Sequence, residues 1–565
     1  MSWSIIKEEG KIYNPVYLFQ PFTVEEWNQY PFAGEEKLKW FRDAKLGLFF
    51  HVGISSVGKV DIGWSRETHK IPDSGKGFVP DEVYDGWANE ISLEEFDADE
   101  WIDLAVKGGF KYVVIITKHH DGFNMWDTEY SDYKITNSPF ARDYLKELTD
   151  ACHKRNMPVG LYYSQRDWHH PDYEPIDNDI VTVKEEIPFY DLKEGEQLRY
   201  GKNHEKYLEY MHNSVMELMK KYGKIDILWW DACWYNKMFL EYMWKSSEIE
   251  ANVRKQQNDI IINNRASVPG DFDTPECRIG FVQRKRMWET CMPLGKEWAW
   301  TGSGIKTHKE IMHQILYSVC GDGNFLLSIG CMPNGKIADE EKEAIIKIGE
   351  WMNKYKESVY GTRSGPWNPG NYGGSVFKDN KAYLHILNTE EVHDVLFPVP
   401  DNEIAGVKCL NHSGLDYEVT GSGLIIHKVP HDDVDTIVEI EFKEPIQLSI
   451  EGLTVDEDLE NSRESYIYGG KLVKETLNEN THKYEFDKLR KVTALEAVTK
   501  AGKFKVRASV DNQNWEYIEC KAAKDDYKEY EFNDYVAGAP VCGKEFKYIE
   551  ITADKEIGQI TLYGF

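Results

Sequence analysis

The sequence lacks several patterns that identify whole classes of protein. Its nine cysteines are odd in number and form no Cys-x-x-Cys pair, which argues against a zinc or iron–sulfur site and against a disulfide scaffold. It has no run of about 18 apolar residues, so we expect no membrane-spanning helix. No glycine-rich phosphate loop follows a predicted strand, so we expect no nucleotide cofactor. The sequence therefore predicts a protein that uses neither a metal nor a cofactor and that keeps its thiols reduced.

Positive charge is also scarce. The chain has 67 Lys and Arg residues and 96 Asp and Glu residues, which gives a formal net charge of −29. Nucleic acids and anionic membranes bind to basic patches, so neither is an expected partner. The N-terminus, MSWSIIKEEGKIY, has no basic start followed by a long apolar run. We expect a cytoplasmic protein, or a secreted or periplasmic one if an export signal has been removed. The sequence leaves open whether the chain forms a homo-oligomer.

Apolar and aromatic residues are plentiful. The 565 residues are 41% hydrophobic and include 18 Trp and 33 Tyr. This length corresponds to about three or four domains, or to one large barrel with additional domains. Aromatic rings of this abundance fill large cores, and they also form flat surfaces on which the C–H faces of sugar rings can stack.

Short apolar strands alternate with amphipathic helices over about 320 residues. The strands are nearly continuous apolar runs, as in a parallel sheet whose two faces are covered by helices. Polar clusters follow the strands at their C-terminal ends, which favours a (β/α)8-like (TIM) barrel over a doubly wound sheet. The clusters are at His51, His119–His120, Tyr162–Tyr163, Asp231 and Arg265. The predicted strands are 46–50, 111–117, 159–164, 225–230, 259–264 and 324–329.

The remaining chain divides into smaller parts. We expect an N-terminal strap at 1–30, the α/β barrel at 31–360 with an insertion at 172–200, and an antiparallel β-sandwich at 361–445. A Pro/Gly connector, SGPWNPGNYGG, introduces the sandwich. Residues 446–565 are predicted to be an acidic linker, including 451–465, followed by a second antiparallel β-sandwich.

Asp231 ends the apolar run in KIDILWWDACW. Barrel enzymes hold their catalytic groups at the C-terminal ends of such strands. An acid at a strand–helix junction is equally common as the N-cap of the next helix. Glycoside hydrolysis would require a second carboxyl group. Sequence spacing alone does not choose among the candidates, which are Glu67, Asp271, Asp273, Glu276, Glu289 and Glu297.

Five ordered segments resemble glycoside hydrolase family 29, the α-L-fucosidases. The resemblance covers about residues 31–400. The segments are WFRDAKLGLFFHVGISS, KYVVIITKHHDGFNMWDTEYSDY, GLYYSQRDWH, DILWWD and WETCM. It implies a retaining, exo-acting hydrolase that removes terminal α-L-fucosyl residues from oligosaccharides or glycoconjugates without a metal or cofactor.

The resemblance also implies roles for individual residues. Asp231 corresponds to the nucleophile, and Glu276 in DFDTPE corresponds to the acid/base, in preference to Glu289. The implied substrate-binding residues are His51, Trp64, His119, His120, Tyr162, Trp229, Arg265 and Trp298. One position departs from the family, since Gly63 precedes Trp64 where many members have Glu, and Glu67 is the nearby carboxylate that could replace it.

Two alternatives use the same residues differently. A metal-dependent barrel hydrolase would use His119, His120 and Asp231, but the HxH pattern typical of such sites is missing. A glycan-binding protein without catalytic activity would bind fucose but lack the acid/base. In addition, residues 466–565 resemble discoidin-like carbohydrate-binding modules through FKVRASVDNQNWEYI, and the alternative is a purely structural domain.

Overall fold

The structure, a computed structural model, describes most of the chain. The described residues are 6–8, 11–13, 22–67, 77–173, 203–231, 241–277, 279, 282–284, 286–370, 372–387, 395–399, 403–420, 423–447, 472–478, 481–499, 504–518, 535–553 and 557–564. The predicted linker at 451–465 lies outside these residues, as do most of the predicted insertion at 172–200 and much of the predicted strap at 1–30.

Three short antiparallel strands come first in the chain, and a curled parallel sheet of seven strands follows. The first three are β1 (Ile6–Glu8), β2 (Lys11–Tyr13) and β3 (Phe22–Thr23). The parallel strands are β4 (Leu46–Phe50), β5 (Tyr112–Lys118), β6 (Val159–Ser164), β7 (Ile227–Asp231), β8 (Ile261–Ile262), β9 (Glu289–Pro293) and β10 (Asn324–Ile329). Their order across the sheet is β8–β7–β6–β5–β4–β10–β9. Every residue in these seven strands is buried, as expected for a parallel sheet inside a TIM-like fold.

Isolated parallel bridges connect the two edges of this sheet. Asn263, next to β8, pairs with Phe272, and Asp273 pairs with Trp288, next to β9. A third bridge joins Glu276 to Cys291 within β9. The segment 272–276 therefore lies between the two edge strands and pairs with residues on both sides.

In the described residues, helices lie between most of the parallel strands along the chain. They are α1 (Val24–Gln29), α2 (Glu35–Ala44), α3 (Ser55–Gly58), α4 (Asp81–Gly86), α5 (Ala98–Lys107), α6 (Tyr144–Lys154), α7 (His204–Lys221), α8 (Glu241–Trp244), α9 (Ser246–Gln256), α10 (His308–Cys320) and α11 (Asp339–Tyr355), with 3-10 turns at Trp87–Asn89, Ile135–Asn137 and Lys356–Ser358. Side chains cap several of them: Asp97 caps α5, Asp143 caps α6, and Thr307 forms a capping box with Glu310 at α10. Within the described residues, no helix is both long and apolar enough to span a membrane.

Six predicted strands coincide with β4, β5, β6, β7, β8 and β10 to within a few residues. The prediction missed β9, whose sequence ETCMP is not an apolar run. Its first residue, Glu289, is a carboxylic acid that is fully buried. Burial of such a group cannot be read from hydrophobic periodicity.

Antiparallel sheets follow the barrel-type domain. A five-stranded sheet, in the order β11–β12–β13–β18–β15, shares one apolar core with the three-stranded sheet β14–β17–β16. The strands are β11 (Arg363–Ser364), β12 (Gly373–Lys378), β13 (Lys381–Ile386), β14 (Val395–Phe397), β15 (Ile404–Cys409), β16 (Asp416–Thr420), β17 (Gly423–His427) and β18 (Thr436–Phe442). A last antiparallel sheet contains β19 (Leu472–Asn478), β20 (Thr481–Thr499), β21 (Phe504–Ser509), β22 (Glu516–Ile518), β23 (Tyr535–Ala553) and β24 (Ile557–Gly564). The domain boundaries drawn from the sequence stay predictions.

Candidate active site

The predicted site residues gather where β4, β5, β6 and β7 end. His51 follows β4, His119 and His120 follow β5, and Asp231 is the last residue of β7. The strands are parallel, and the register between β6 and β7 places Tyr162 beside Trp229 and Ser164 beside Asp231. The C-terminal ends of neighbouring strands therefore bring these side chains to one edge of the sheet.

Both carboxylate oxygens of Asp231 accept hydrogen bonds from buried side chains. The Tyr162 hydroxyl donates to Oδ2 at 2.7 Å, and Arg265 Nη1 donates to Oδ1 at 2.8 Å. His120 Nε2 lies 3.8 Å from Oδ2. Burial raises the pKa of the Asp231 carboxyl above its ordinary value, Arg265 partly offsets this, and the Glu276 carboxylate adds to it. These contacts engage both carboxylate oxygens of Asp231 with side chains from neighbouring strand ends.

Arg265 holds two carboxylates at once. Its Nε and Nη2 donate to the side chain and backbone oxygens of Thr274, each at 2.9 Å, which fixes the guanidinium plane. Its Nη1 lies 2.8 Å from Asp231 Oδ1 and 3.1 Å from Glu276 Oε2. These two oxygens therefore lie no more than 5.9 Å apart, the sum of both distances. Carboxyl groups of retaining glycosidases lie roughly 5–5.5 Å apart and those of inverting enzymes roughly 6.5–9.5 Å apart, so the limit favours a retaining pair.

Glu276 differs from Asp231 in its exposure. The Glu276 side chain is 40% exposed, whereas that of Asp231 is 10% exposed. The bridge to Cys291 and the hydrogen bond from the Cys277 N–H to the Cys291 carbonyl at 3.0 Å fix the backbone around Glu276. A carboxyl group with this access can exchange protons with a leaving group or with water.

Aromatic rings form a wall beside Asp231. Tyr162 stacks on His119 with a centroid distance of 5.5 Å and on Trp229 with one of 5.6 Å. The Arg265 guanidinium lies over the Trp229 ring, 4.6 Å from its centre. This wall is apolar on its faces and offers hydrogen-bonding groups at its edges, which suits a sugar ring.

The imidazole rings of His51 and His120 each lie within hydrogen-bonding distance of a serine hydroxyl. His51 Nδ1 lies 2.7 Å from Ser328 Oγ, and the His51 ring lies 5.2 Å from that of Trp298. Burial lowers the pKa of His51 to about 3, so its imidazole is neutral at physiological pH. His120 Nδ1 lies 2.6 Å from Ser164 Oγ.

Trp64 meets the edge of His120 at 5.1 Å and packs against Trp168 at 5.8 Å. The structure thus links each predicted substrate-binding residue to the Asp231 cluster through direct contacts between side chains. Four residues of the site, Ser164, Trp168, Thr274 and Ser328, are not among those predicted from the sequence. The polar cluster QRDWHH, which follows β6, could have indicated Trp168.

The other candidate carboxylates have different partners. Asp271 accepts from the backbone of Ala33 and Ile262 and pairs with Arg254, and Asp273 pairs with Arg286 at 2.8 Å. Glu67 is exposed. Glu289 is fully buried inside the curled parallel sheet, where it accepts from Trp229 and Tyr112. Glu276 is the candidate that shares Arg265 with Asp231.

Glycine at position 63 fits the local geometry of the backbone. Gly63 has φ +68°, a left-handed conformation that side chains other than glycine rarely adopt, and its N–H donates to the Tyr84 hydroxyl at 2.6 Å. A Cβ atom at this position would lie 2.5 Å from His119 Nδ1. A glutamate at position 63 would therefore displace His119.

His119, His120 and Asp231 also bring their potential ligand atoms within 4.8 Å of one another, a spacing that could hold a metal ion. Arg265 Nη1, however, lies 2.8 Å from the Asp231 carboxylate. A guanidinium is always charged and would repel a cation bound to the same carboxylate. The residues present therefore fit a cation poorly.

Comparison with known proteins decides the family. The family model described as α-L-fucosidase matches residues 23–357, more than half of the chain. The chain belongs to the α-L-fucosidase family. It is thus a member of a family of glycoside hydrolases, as the five sequence segments predicted.

Individual family members are similar over most of their length. A putative α-L-fucosidase of Caenorhabditis elegans is 28% identical over 398 residues, which cover 63% of this chain and 76% of that protein. The structural alignment with an α-L-fucosidase from Vibrio sp. strain EJY3 covers 94% of this chain and 99% of the Vibrio chain, with a TM-score of 0.62 and 20% identity. A Bacteroides thetaiotaomicron α-L-fucosidase with a trapped covalent intermediate covers 74% of this chain and 98% of its own, with a TM-score of 0.60 and 22% identity. The last two likenesses concern the fold.

Proposed function

We propose that this chain is a retaining, exo-acting α-L-fucosidase that hydrolyses terminal α-L-fucosyl residues of oligosaccharides or glycoconjugates. The observation that carries the proposal is the sharing of Arg265 Nη1 between Asp231 and Glu276, which keeps the two carboxylates within a limit that is compatible with a retaining pair. The family and the trapped covalent intermediate of the Bacteroides enzyme support it.

In the first step, Asp231 attacks the anomeric carbon and forms a β-fucosyl ester, while Glu276 gives its proton to the departing glycosidic oxygen. The hydrogen bonds from Tyr162 and Arg265 align the nucleophile. They also favour its ionised form, against the effect of burial.

In the second step, Glu276, now a carboxylate, takes a proton from water as the water attacks the anomeric carbon. The ester bond to Asp231 breaks and α-L-fucose leaves, so the two inversions give net retention. The neutral imidazole of His51 and the stacked rings of His119, Tyr162 and Trp229 would bind the sugar hydroxyls and its apolar face.

Replacement of the nucleophile tests this function. We expect Asp231→Ala to abolish hydrolysis of 4-nitrophenyl α-L-fucoside while its circular dichroism spectrum stays that of the unaltered chain. Asp226→Ala serves as the control, since Asp226 is an acid that directly precedes the same strand, at the end opposite Asp231, and should retain turnover. Near-normal hydrolysis by Asp231→Ala would refute the proposal.

The rival metal-dependent hydrolase is favoured by one observation, the spacing of His119, His120 and Asp231. Turnover measured after prolonged dialysis against EDTA separates the two functions. The fucosidase mechanism predicts unchanged activity, and loss of activity that Zn²⁺ or Mn²⁺ restores would favour the rival.

We further propose that the segment 272–276 completes an eight-stranded barrel by bridging β8 and β9, and that the antiparallel sheets form two β-sandwiches after it. Carbohydrate binding by the last sheet, a cytoplasmic location and homo-oligomer formation stay predictions. So does the absence of nucleic-acid and membrane partners.

A further inference from the structure

Glu289 lies in the barrel interior, where the proposed mechanism does not use it. It is the first residue of β9, and its side chain has no exposed surface. The Trp229 indole N–H donates to Glu289 Oε1 at 2.9 Å, and the Tyr112 hydroxyl donates to Oε2. Each oxygen therefore accepts a hydrogen bond from a buried donor.

The residues around Tyr112 leave room for its ring. Gly47 pairs with Tyr112 across β4 and β5, and a Cβ atom at position 47 would overlap the Tyr112 ring. Phe41 packs against the same ring at a centroid distance of 5.2 Å. The glycine thus leaves the room that the ring needs, and the ring brings its hydroxyl to Glu289.

The Trp229 side chain, which donates to Glu289, also contacts the two residues that donate to Asp231. The Trp229 ring lies under Arg265, 4.6 Å from the guanidinium carbon, and stacks with Tyr162 at 5.6 Å. Arg265 and Tyr162 supply the two hydrogen bonds to Asp231, at 2.8 and 2.7 Å. A rotation of the indole would therefore disturb both donors to the nucleophile together.

We propose that Glu289 is a positioning residue, which fixes the plane of Trp229 and through it the two donors that align Asp231. The inference rests on the proposed fucosidase function and deepens it. Glu289 acts in this account by accepting a hydrogen bond, not by transferring a proton to the leaving group.

A double-mutant cycle tests this coupling. Glu289→Met removes the acceptor while keeping a side chain of similar length, and Trp229→Phe removes the N–H donor. We expect Glu289→Met to lower kcat on the order of 10²-fold with KM nearly unchanged, because the nucleophile is misaligned after the substrate has bound. In the Trp229→Phe background the same change should cost little more, since the hydrogen bond is already absent. Additive losses would overturn the proposal.

Two further measurements distinguish positioning from other roles. Glu289→Gln retains an acceptor for the indole and should recover most of the activity, whereas azide should not restore Glu289→Met. Recovery with azide would identify Glu289 as the acid/base and overturn the proposal. If Glu289→Met fails to fold, Glu289→Leu, which also lacks an acceptor for the indole, provides the cycle with Trp229→Phe.

A spectroscopic measurement tests the hydrogen bond apart from turnover. In protein labelled with ¹⁵N-tryptophan, the indole N–H resonance of Trp229 is the one missing in Trp229→Phe. We expect its shift to follow the titration of Glu289 in the unaltered chain and to lose that response in Glu289→Gln. Persistence of this pH response in Glu289→Gln would contradict the positioning role. An unaltered chain without fucosidase activity would instead refute the proposed function.

Discussion

Arg265 Nη1 lies 2.8 Å from Asp231 Oδ1, and both side chains are buried. Taking a carboxylate out of water favours its protonated form, and a guanidinium at this distance favours the ionised form. Arg265 is itself fixed by Thr274 and by the Trp229 ring. The ionisation of the proposed nucleophile therefore depends on a cation that cannot move away without breaking several contacts.

Arg265→Met should raise the pKa of Asp231 further, because burial then acts without the opposing charge. Asp231 acts as a nucleophile only when it is ionised, so the enzyme loses activity as the pH falls through the pKa of Asp231. A higher pKa should therefore move the acidic limb of the kcat/KM profile to higher pH. We also expect kcat/KM at its optimum to fall on the order of 10²-fold, through loss of a donor to the nucleophile. Arg142→Met, which removes a surface partner of Glu147, should leave the pH profile unchanged. An acidic limb that stays in place would contradict this role of Arg265.

Glu276→Ala should slow hydrolysis strongly and respond to azide. Azide needs no general base, so it can attack the fucosyl ester on Asp231 in place of water, and the product should be α-L-fucosyl azide. The product can be identified by NMR. Asp231→Ala with azide should give the opposite anomer, since azide would then attack the substrate directly. Glu297→Ala is the control and should show no azide effect. If Glu297→Ala, and not Glu276→Ala, gave the α-azide, the acid/base role would belong to Glu297.

Most of the parallel strands could be predicted from the sequence because they are apolar runs that stop at a polar residue. Leu46–Phe50 before His51 and Ile227–Trp230 before Asp231 show this clearly. The choice of Glu276 among six carboxylates could not be derived from spacing. It depends on Arg265 contacting both Asp231 and Glu276, which the chain's local pattern does not encode.

Partners within the site were equally hidden from sequence reasoning. His51 and Ser328 are 277 residues apart, and Glu289 meets Trp229 across 60 residues. Hydrophobic periodicity predicts which face of an element is buried, but not which polar side chains meet inside the barrel. The resemblance to a family supplied the list of residues, and the structure supplied their contacts.

Gly63→Ala should affect the site and not only the stability. Alanine in the left-handed region costs about 1–2 kcal/mol of stability, and at position 63 its Cβ would also press on His119. Gly304→Ala is a matched control, because Gly304 has φ +82° and no neighbour within 4 Å of the added carbon. We expect both variants to melt at lower temperature but only Gly63→Ala to raise KM for the aryl fucoside. Equal KM values in the two variants would contradict the placement of His119 in the pocket.

The protonation of Glu289 should appear in the stability of the barrel. Burial raises the pKa of Glu289 from an ordinary value of 4.5 to about 7. Between these pH values the folded state holds a proton that the unfolded chain has lost, so the stability should fall as the pH rises, by about 3 kcal/mol in total. Glu289→Gln cannot titrate.

The melting temperature of Glu289→Gln relative to the unaltered chain should therefore rise from pH 4.5 to pH 8. Glu90→Gln, at an exposed position, should show no such trend. A constant difference between Glu289→Gln and the unaltered chain across this range would show that Glu289 is ionised throughout.

The central claim is that Asp231 forms a covalent ester with fucose, and labelling with 2-deoxy-2-fluoro-fucosyl fluoride tests it most directly. The fluorine slows breakdown of the ester, so the intact mass should increase by one 2-fluoro-fucosyl group. Proteolysis and mass spectrometry should place that group on the peptide containing Asp231, and Asp231→Ala should remain unlabelled. A label on another carboxylate, or active protein that acquires none, would contradict the account.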